Sequence, residues 1–303
     1  MKTLVIGGCG FIGSHVVDRL LVHGHSVKVF DRQMERFRPP LDGVEYVIGD
    51  FGDQMAVIDA LAGVDAVMHL ASTTFPSTAD LNPALDVQGN LVGTLSLLDA
   101  MDRLGVARIL FLSSGGTVYG RPDQVPIPET HPLRPINSYG IVKVAIEHYL
   151  EMYRRTRKIS PVAIRASNPY GPRQGHTGVQ GVISTFLTRL RRGETLEIWG
   201  DGSVVRDYVH VAELADLCAR AIATDRTGAY NAGSGQGTSL REVVEILETV
   251  TGRAIAPIYK PGRAIDVRES VLDIARAQAD FGWRSTIPLV EGVAATYDWM
   301  CRE

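Results

Sequence analysis

The chain has 303 residues, 45% of them hydrophobic and 21% charged, with a formal net charge of −3. That length predicts one large domain or two intimately joined ones of ordinary globular composition. The balance supplies no basic field for nucleic acid or an anionic membrane, so a phosphate-bearing partner must be met by individual arginines.

From Met1 the chain runs straight into a buried-strand pattern with glycines behind it, not into the cleavage site of a leader. Nor does it contain the ~18-residue apolar run of a membrane span. Cys9, Cys218 and Cys301 are odd in number and far apart, so neither a disulfide framework nor a metal site is expected. Cytoplasmic is the default location.

Apolar runs suited to buried parallel strands lie at 3–6, 26–30, 44–48, 66–70, 108–112 and 161–164. Helix-period segments separate them at 12–22, 54–61, 83–104 and 138–153. This alternation predicts an α/β fold, a Rossmann-type doubly wound parallel sheet. Beyond Pro169 the pattern loosens into a Gly/Pro-rich loop, a helix at 182–192, short strands at 196–198 and 206–210, and helices at 211–223, 239–250 and 273–281, which complete the helical segments. A smaller α/β substrate-binding domain is expected there: residues 1–167 plus about 205–232 form the first domain, and 168–204 with 233–303 the second.

Gly7, Gly10 and Gly13 follow the first strand and open the first helix, the context a nucleotide pyrophosphate requires. Asp31 ends the second strand, 18 residues after Gly13. A carboxylate there accepts from ribose hydroxyls and favours NAD over NADP, although Arg32 beside it can pair with a 2′-phosphate. Asp50 either bonds the adenine or caps the helix beginning near Asp53.

Tyr139 and Lys143 are four residues apart and share one face of a helix. A tyrosine of pKa about 10 is a poor base at neutral pH. A nearby ammonium is expected to lower it, and Lys143 can also reach the nicotinamide ribose.

Taken with these pairs, Gly7-Gly-Cys-Gly-Phe-Ile-Gly-Ser-His15, His69-Leu-Ala71, Ser113-Ser-Gly-Gly-Thr-Val-Tyr-Gly120, Arg165-x-x-Asn-Pro-Tyr-Gly-Pro-Arg173 and Arg206-Asp-Tyr-Val-His210 give the chain a resemblance over nearly its whole length. It resembles the extended short-chain dehydrogenase/reductases, and among them the nucleotide-sugar epimerases of the UDP-galactose 4-epimerase type. The resemblance implies bound NAD and a UDP-hexose whose C4 is oxidised, turned over and reduced on its other face, with Tyr139 as the base. It adds Phe11, Ile12, Phe51, Leu70, Ala71, Ser72, Asn90 and Ser113 to the cofactor set. It assigns Arg206 and Arg263 to the UDP diphosphate, Asn168 to phosphate or sugar, Asp266 to the uridine ribose and Arg173 to an extra contact. Ser270 falls at a position gating the sugar 2-substituent, which implies that UDP-N-acetylglucosamine is accepted. A homodimer built on the helices near 83–104 and 138–153 is also implied.

One position departs from the pattern. The family carries a Ser or Thr where this chain has Gly115; Thr117 and Ser114 are the nearby hydroxyls, and either is otherwise a loop cap. The stretch 115–117 also lacks the carboxylates with which related dehydratases and decarboxylases move protons, which leaves simple epimerisation.

Overall fold

The computed structural model describes residues 1–175, 181–262 and 267–302. Strand β1 (Lys2–Ile6) leads through helix α1 (Phe11–Val22) into β2 (Ser26–Asp31) and β3 (Val44–Ile48). Helix α2 (Gln54–Leu61), β4 (Ala66–His69), α3 (Pro76–Ala79) and α4 (Pro83–Asp86) follow. A π-helical turn (Val87–Val92) joins α4 to α5 (Gly93–Leu104), before β5 (Arg108–Ser114), α6 (Ser138–Thr156) and β6 (Ser160–Ala166).

The second half holds β7 (Asn168–Tyr170), α7 (Val182–Arg191), β8 (Glu197–Trp199), β9 (Val205–His210), α8 (Val211–Ile222) and β10 (Gly228–Ala232). It ends with β11 (Gly237–Ser239), α9 (Leu240–Thr251), β12 (Ile258–Lys260), β13 (Glu269–Ser270), α10 (Ala275–Phe281) and α11 (Leu289–Arg302).

Seven strands form one parallel sheet in the order β10-β6-β5-β4-β1-β2-β3. The order reverses between β1 and β4, and the carboxyl ends of strands at such a switch point diverge into a ligand crevice. Both faces are covered, which is why the strands are almost continuously apolar. On one face Val16, Val17 and Leu20 of α1 pack with Leu214, Leu217 and Cys218 of α8; on the other, Val57 of α2, Leu97 and Met101 of α5, and Val142 and Ile146 of α6 cover the sheet. Among the described residues no helix is long and apolar enough to cross a membrane.

The smaller sheet is built on β9, which pairs with β7, β11 and β13. Asp207, fully buried within β9, accepts from the amides of Ser234 (2.6 Å), Gly235 (3.3 Å) and Leu272 (3.2 Å). Burial raises its pKa and these donors oppose the rise. The segment 205–232 is thus divided: β9 belongs to the small sheet, whereas α8 covers the large one and β10 forms its edge.

Two expectations are corrected here, and one strand comes without a sequence signal. The segment 83–104 is not one regular helix. Gly89 and Gly93 approach Thr73 and Phe51 so closely that an added Cβ would lie 2.7 and 2.8 Å from their side chains, and the π turn accommodates that approach. The helices do not end at Phe281: α11 follows, its buried face made of Gly292, Val293, Thr296 and Met300, too small and polar to read as an apolar stripe. Strand β10 reads Gly-Ala-Tyr-Asn-Ala, poor in β-branched residues, and escapes a pattern search for the same reason. Smaller shifts move the 273–281 helix to begin at Ala275, whose amide donates to Asp273 (2.9 Å).

Candidate active site

The loop from β1 to α1 is held by close backbone contact and by the side chain of Asp31. Gly7 has φ of +85°, and its amide donates to Phe30 O (2.9 Å). A Cβ on Gly13 would lie 2.0 Å from Gly7 O, and one on Gly7 would lie 2.9 Å from Ala71 N. Gly10 caps α1 with no side-chain hydrogen bond, so the cap residue leaves the first amides of the helix, which begins at Phe11 and Ile12, without a side-chain acceptor. Asp31 reaches across, accepting from Cys9 N (2.9 Å) and from Arg32 N (2.7 Å). Its carboxylate therefore fixes the loop as well as facing the crevice. Arg32 is exposed. The glycine cradle, bare helix end and carboxylate on the second strand fit a dinucleotide pyrophosphate and its ribose.

Asp50 does not cap α2. Asp53 does, accepting from Met55 N and Ala56 N, while Asp50 accepts from Gly52 N (2.8 Å) in a turn of its own. Phe51 is buried against His69, with ring centroids 4.8 Å apart. Leu70, Ala71 and Ser72 leave β4 beside Gly7, and Leu70 N donates to Ile6 O.

Asn90 is neither an exposed helix-face residue nor free to turn. Its Oδ1 accepts from Thr73 N (2.8 Å), and its Nδ2 donates to Thr74 Oγ1 (3.0 Å) and Asp86 Oδ1 (2.8 Å).

Helix α6 starts at an Asn137 cap that accepts from Gly140 N and carries Tyr139 and Lys143 on one face. Lys143 Nζ donates to Leu112 O (2.9 Å) and lies 5.4 Å from the centre of the Tyr139 ring. Burial pushes the Lys143 ammonium down to about 8, partly offset by Asp86 and Glu147. His69 is driven to about 3 by burial and then by Lys143, so it stands neutral with Nε2 2.9 Å from Thr94 Oγ1.

The expectation that Lys143 lowers the Tyr139 pKa is not met in the folded chain. Burial raises the phenol first and the Asp86 charge raises it further. The ammonium is engaged at a backbone carbonyl under the ring and does not bond to the phenol.

The hydroxyl missing at position 115 has a steric cause. A Cβ on Gly115 would lie 2.5 Å from Leu272 Cδ1 and 3.0 Å from Arg165 O, so a side chain there would run into packed core. Leu272 is 1% exposed. Thr117 stands nearby: its carbonyl lies 2.9 Å from where a Gly140 Cβ would be, one residue from Tyr139. Its Oγ1 is buried without a hydrogen-bond partner among the described residues. Ser114, at the end of β5, takes the Thr117 and Val118 amides on its carbonyl. Ser113 is committed to Glu147 Oε1 (2.5 Å), which also pairs with buried Arg165.

Of the residues expected at the sugar end, Asn168, Arg206 and Ser270 come together on the small sheet. Ser270 faces Arg206 in register, and Asn168 Nδ2 donates to Asp207 O (2.9 Å). Arg206 Nη1 donates to Val205 O (2.8 Å) and Val267 O (2.7 Å). Arg263 and Asp266 lie outside the described residues. Arg173 is elsewhere. With φ of +68° it ion-pairs with Asp18 of α1 (2.9 Å), which also holds Arg38, and so braces the cofactor helix. Pro172 O meets His15 Nε2 at 2.9 Å beside it. Among the described residues no group of His, Cys, Asp or Glu could hold a metal ion.

A model of the NAD dependent epimerase/dehydratase family matches residues 3–233. A UDP-glucose 4-epimerase of Mycolicibacterium smegmatis is 37% identical over 307 aligned residues, covering 99% of this chain and 98% of that one. A UDP-glucose 4-epimerase of Thermotoga maritima, solved with UDP-glucose, superposes with TM-score 0.94 at 35% identity, covering 100% of this chain and 99% of that one. The Thermus thermophilus UDP-glucose 4-epimerase, solved with NAD, gives TM-score 0.91 at 36% identity, with 99% of each chain covered.

The tightest constraint in this site is the approach of Gly13 to Gly7 O. Gly13→Ala should cost about 1–3 kcal/mol of stability and strip the protein of bound NAD. Thermal unfolding, with the nucleotide released on denaturation measured by its absorbance, checks both.

Proposed function

The chain belongs to the NAD dependent epimerase/dehydratase family, and we propose on that premise that it inverts C4 of a UDP-hexose. The observation that carries this reading is the Tyr139–Lys143 pair on one face of α6, with Lys143 donating to Leu112 O of β5. Tyr139 takes the proton of the sugar 4-hydroxyl and later returns it. Lys143, held to Leu112 O, fixes the height of the ring and adds positive charge below it. NAD, when bound, would supply a hydride acceptor and donor for C4 and a positive charge favouring ionisation of the phenol, which burial and Asp86 hold protonated. No oxidant or reductant is consumed over the cycle. The absence of carboxylates at 115–117 supports epimerisation over elimination. Thr117, with its unpartnered buried Oγ1, is the hydroxyl best suited to bridge sugar and phenol, ahead of Ser114.

The cofactor unit is read as the large sheet and its helices, and the nucleotide-sugar unit as the small sheet with α7, α9 and α11. Arg206, Asn168 and Ser270 line the latter, and Arg206 meets the UDP diphosphate as a planar cation. Ser270 leaves room at the 2-substituent, so the substrates include UDP-N-acetylglucosamine beside UDP-glucose. Two copies associate through α4 and α6: Leu85 is 64%, Ile141 55% and Met152 43% exposed, and Ile141 and Met152 lie on one face of α6.

Incubating the pure protein with UDP-glucose and no added cofactor should yield UDP-galactose by chromatography; a need for external NADPH would identify a reductase instead. Tyr139→Phe should lower turnover roughly 100- to 10,000-fold with UDP-sugar binding intact. Thr117→Val should fall further than Ser114→Ala in the same assay. Ser270→Tyr should cut turnover of UDP-N-acetylglucosamine roughly 10- to 100-fold and spare UDP-glucose; equal losses would refute the gate. Light scattering should give twice the chain mass, and Ile141→Glu combined with Leu85→Glu should return it to the monomer.

A further inference from the structure

Asp86 closes α4 and is completely buried, yet it belongs to none of the motifs read from the sequence. Its Oδ1 accepts from Thr74 Oγ1 (2.7 Å) and Asn90 Nδ2 (2.8 Å), and its Oδ2 accepts from Ser138 Oγ (2.7 Å). Thr74 belongs to the loop leaving β4 at the switch point. Asn90 lies in the π turn, and Ser138 immediately precedes Tyr139. A single carboxylate therefore ties the cofactor-side loop and the π turn to the first residue of the helix that carries the base. Such a group is retained at a large desolvation cost, which all three donors offset only while their geometry holds.

We propose that Asp86 is a positioning residue, which holds the start of α6, and with it Tyr139, in register with the loop after β4. This rests on Tyr139 being the base. The titratable groups facing the phenol are Asp86 from α4 and Lys143 from its own helix. His69 of β4 and Glu147 of α6 face Lys143, and Asp80, after α3, accepts from Ser138 N (2.8 Å). Asp86 is the second cause, after burial, of the raised phenol. Held there, its charge opposes ionisation of the phenol, so removing it should let tyrosinate form at lower pH.

Asp86→Asn keeps the shape and an acceptor oxygen but removes the charge. Ser138→Ala keeps the charge and cuts the link to α6. The ultraviolet tyrosinate titration, with a Tyr139→Phe trace subtracted, should move to lower pH in Asp86→Asn and stay at the wild-type position in Ser138→Ala. In both variants kcat for the UDP-sugar should fall roughly tenfold with KM unchanged. A titration that stays or rises in Asp86→Asn, or a wild-type kcat in Ser138→Ala, would overturn the proposal. If Asp86→Asn fails to fold, Ser138→Ala and Thr74→Val test the same link through the kcat and KM split. Wild-type turnover by Tyr139→Phe would refute the base alone, because the titration reads the Asp86 charge independently of turnover.

Discussion

The buried ion pair between Glu147 and Arg165 joins the two halves of the active site. Arg165 Nη2 lies 2.6 Å from Glu147 Oε2, and both side chains are under 10% exposed. A buried pair contributes little by itself, and its attraction offsets desolvation only when the remaining hydrogen bonds are made. Here they are. Glu147 also accepts from Ser113 at the end of β5, and Arg165 also donates to Tyr119 (2.9 Å) and to Glu129 O (3.1 Å). Tyr119 in turn donates to Asn231 of β10 (2.6 Å). Because Glu147 lies one turn beyond Lys143, this pair fixes how far α6 stands from the sheet. Because Arg165 lies three residues before Asn168, the same pair sets where the chain leaves β6 to begin the small sheet.

Two buried carboxylates thus locate Tyr139 from opposite ends. Glu147 anchors the middle of α6 to the large sheet, and Asp86 anchors its first residue to the loop after β4. Between them Tyr139 and Lys143 have little freedom to shift. That is the rigidity the role proposed for Tyr139 demands. A third buried carboxylate, Asp207, does the same for the sugar side by gathering the backbone of 234–235 and 272 around β9. Each acts as a hub for donors separated by tens of residues in the chain.

That separation explains what the sequence made legible. Gly7, Gly10, Gly13, Asp31, Tyr139 and Lys143 were readable because the chemistry fixes their spacing along a single loop or helical turn. The parallel strands were readable because burial on both faces makes them apolar throughout. Asp86, Glu147 and Asp207 carry no such local signature. Their partners lie 4 to 65 residues away, most of them on other elements, and a lone acidic residue on a helix or strand reads as a solvated one. The Lys143 effect on Tyr139 was misread for a related reason: spacing gives proximity along a helix, but burial depth and the Leu112 carbonyl decide where the ammonium is spent. Arg173 was legible as part of a motif, yet its pairing with Asp18, 155 residues earlier, needed the fold.

The fit of Gly115 against Leu272 has a bearing on how this enzyme could have changed over time. A hydroxyl-bearing side chain at 115 collides with Leu272, and a smaller residue at 272 opens a void beside glycine. Either step alone is unfavourable, and only the two together lead to a packed site with the hydroxyl at 115. The pair is therefore epistatic. A hydroxyl at 115 is thus expected to require a compensating change at 272.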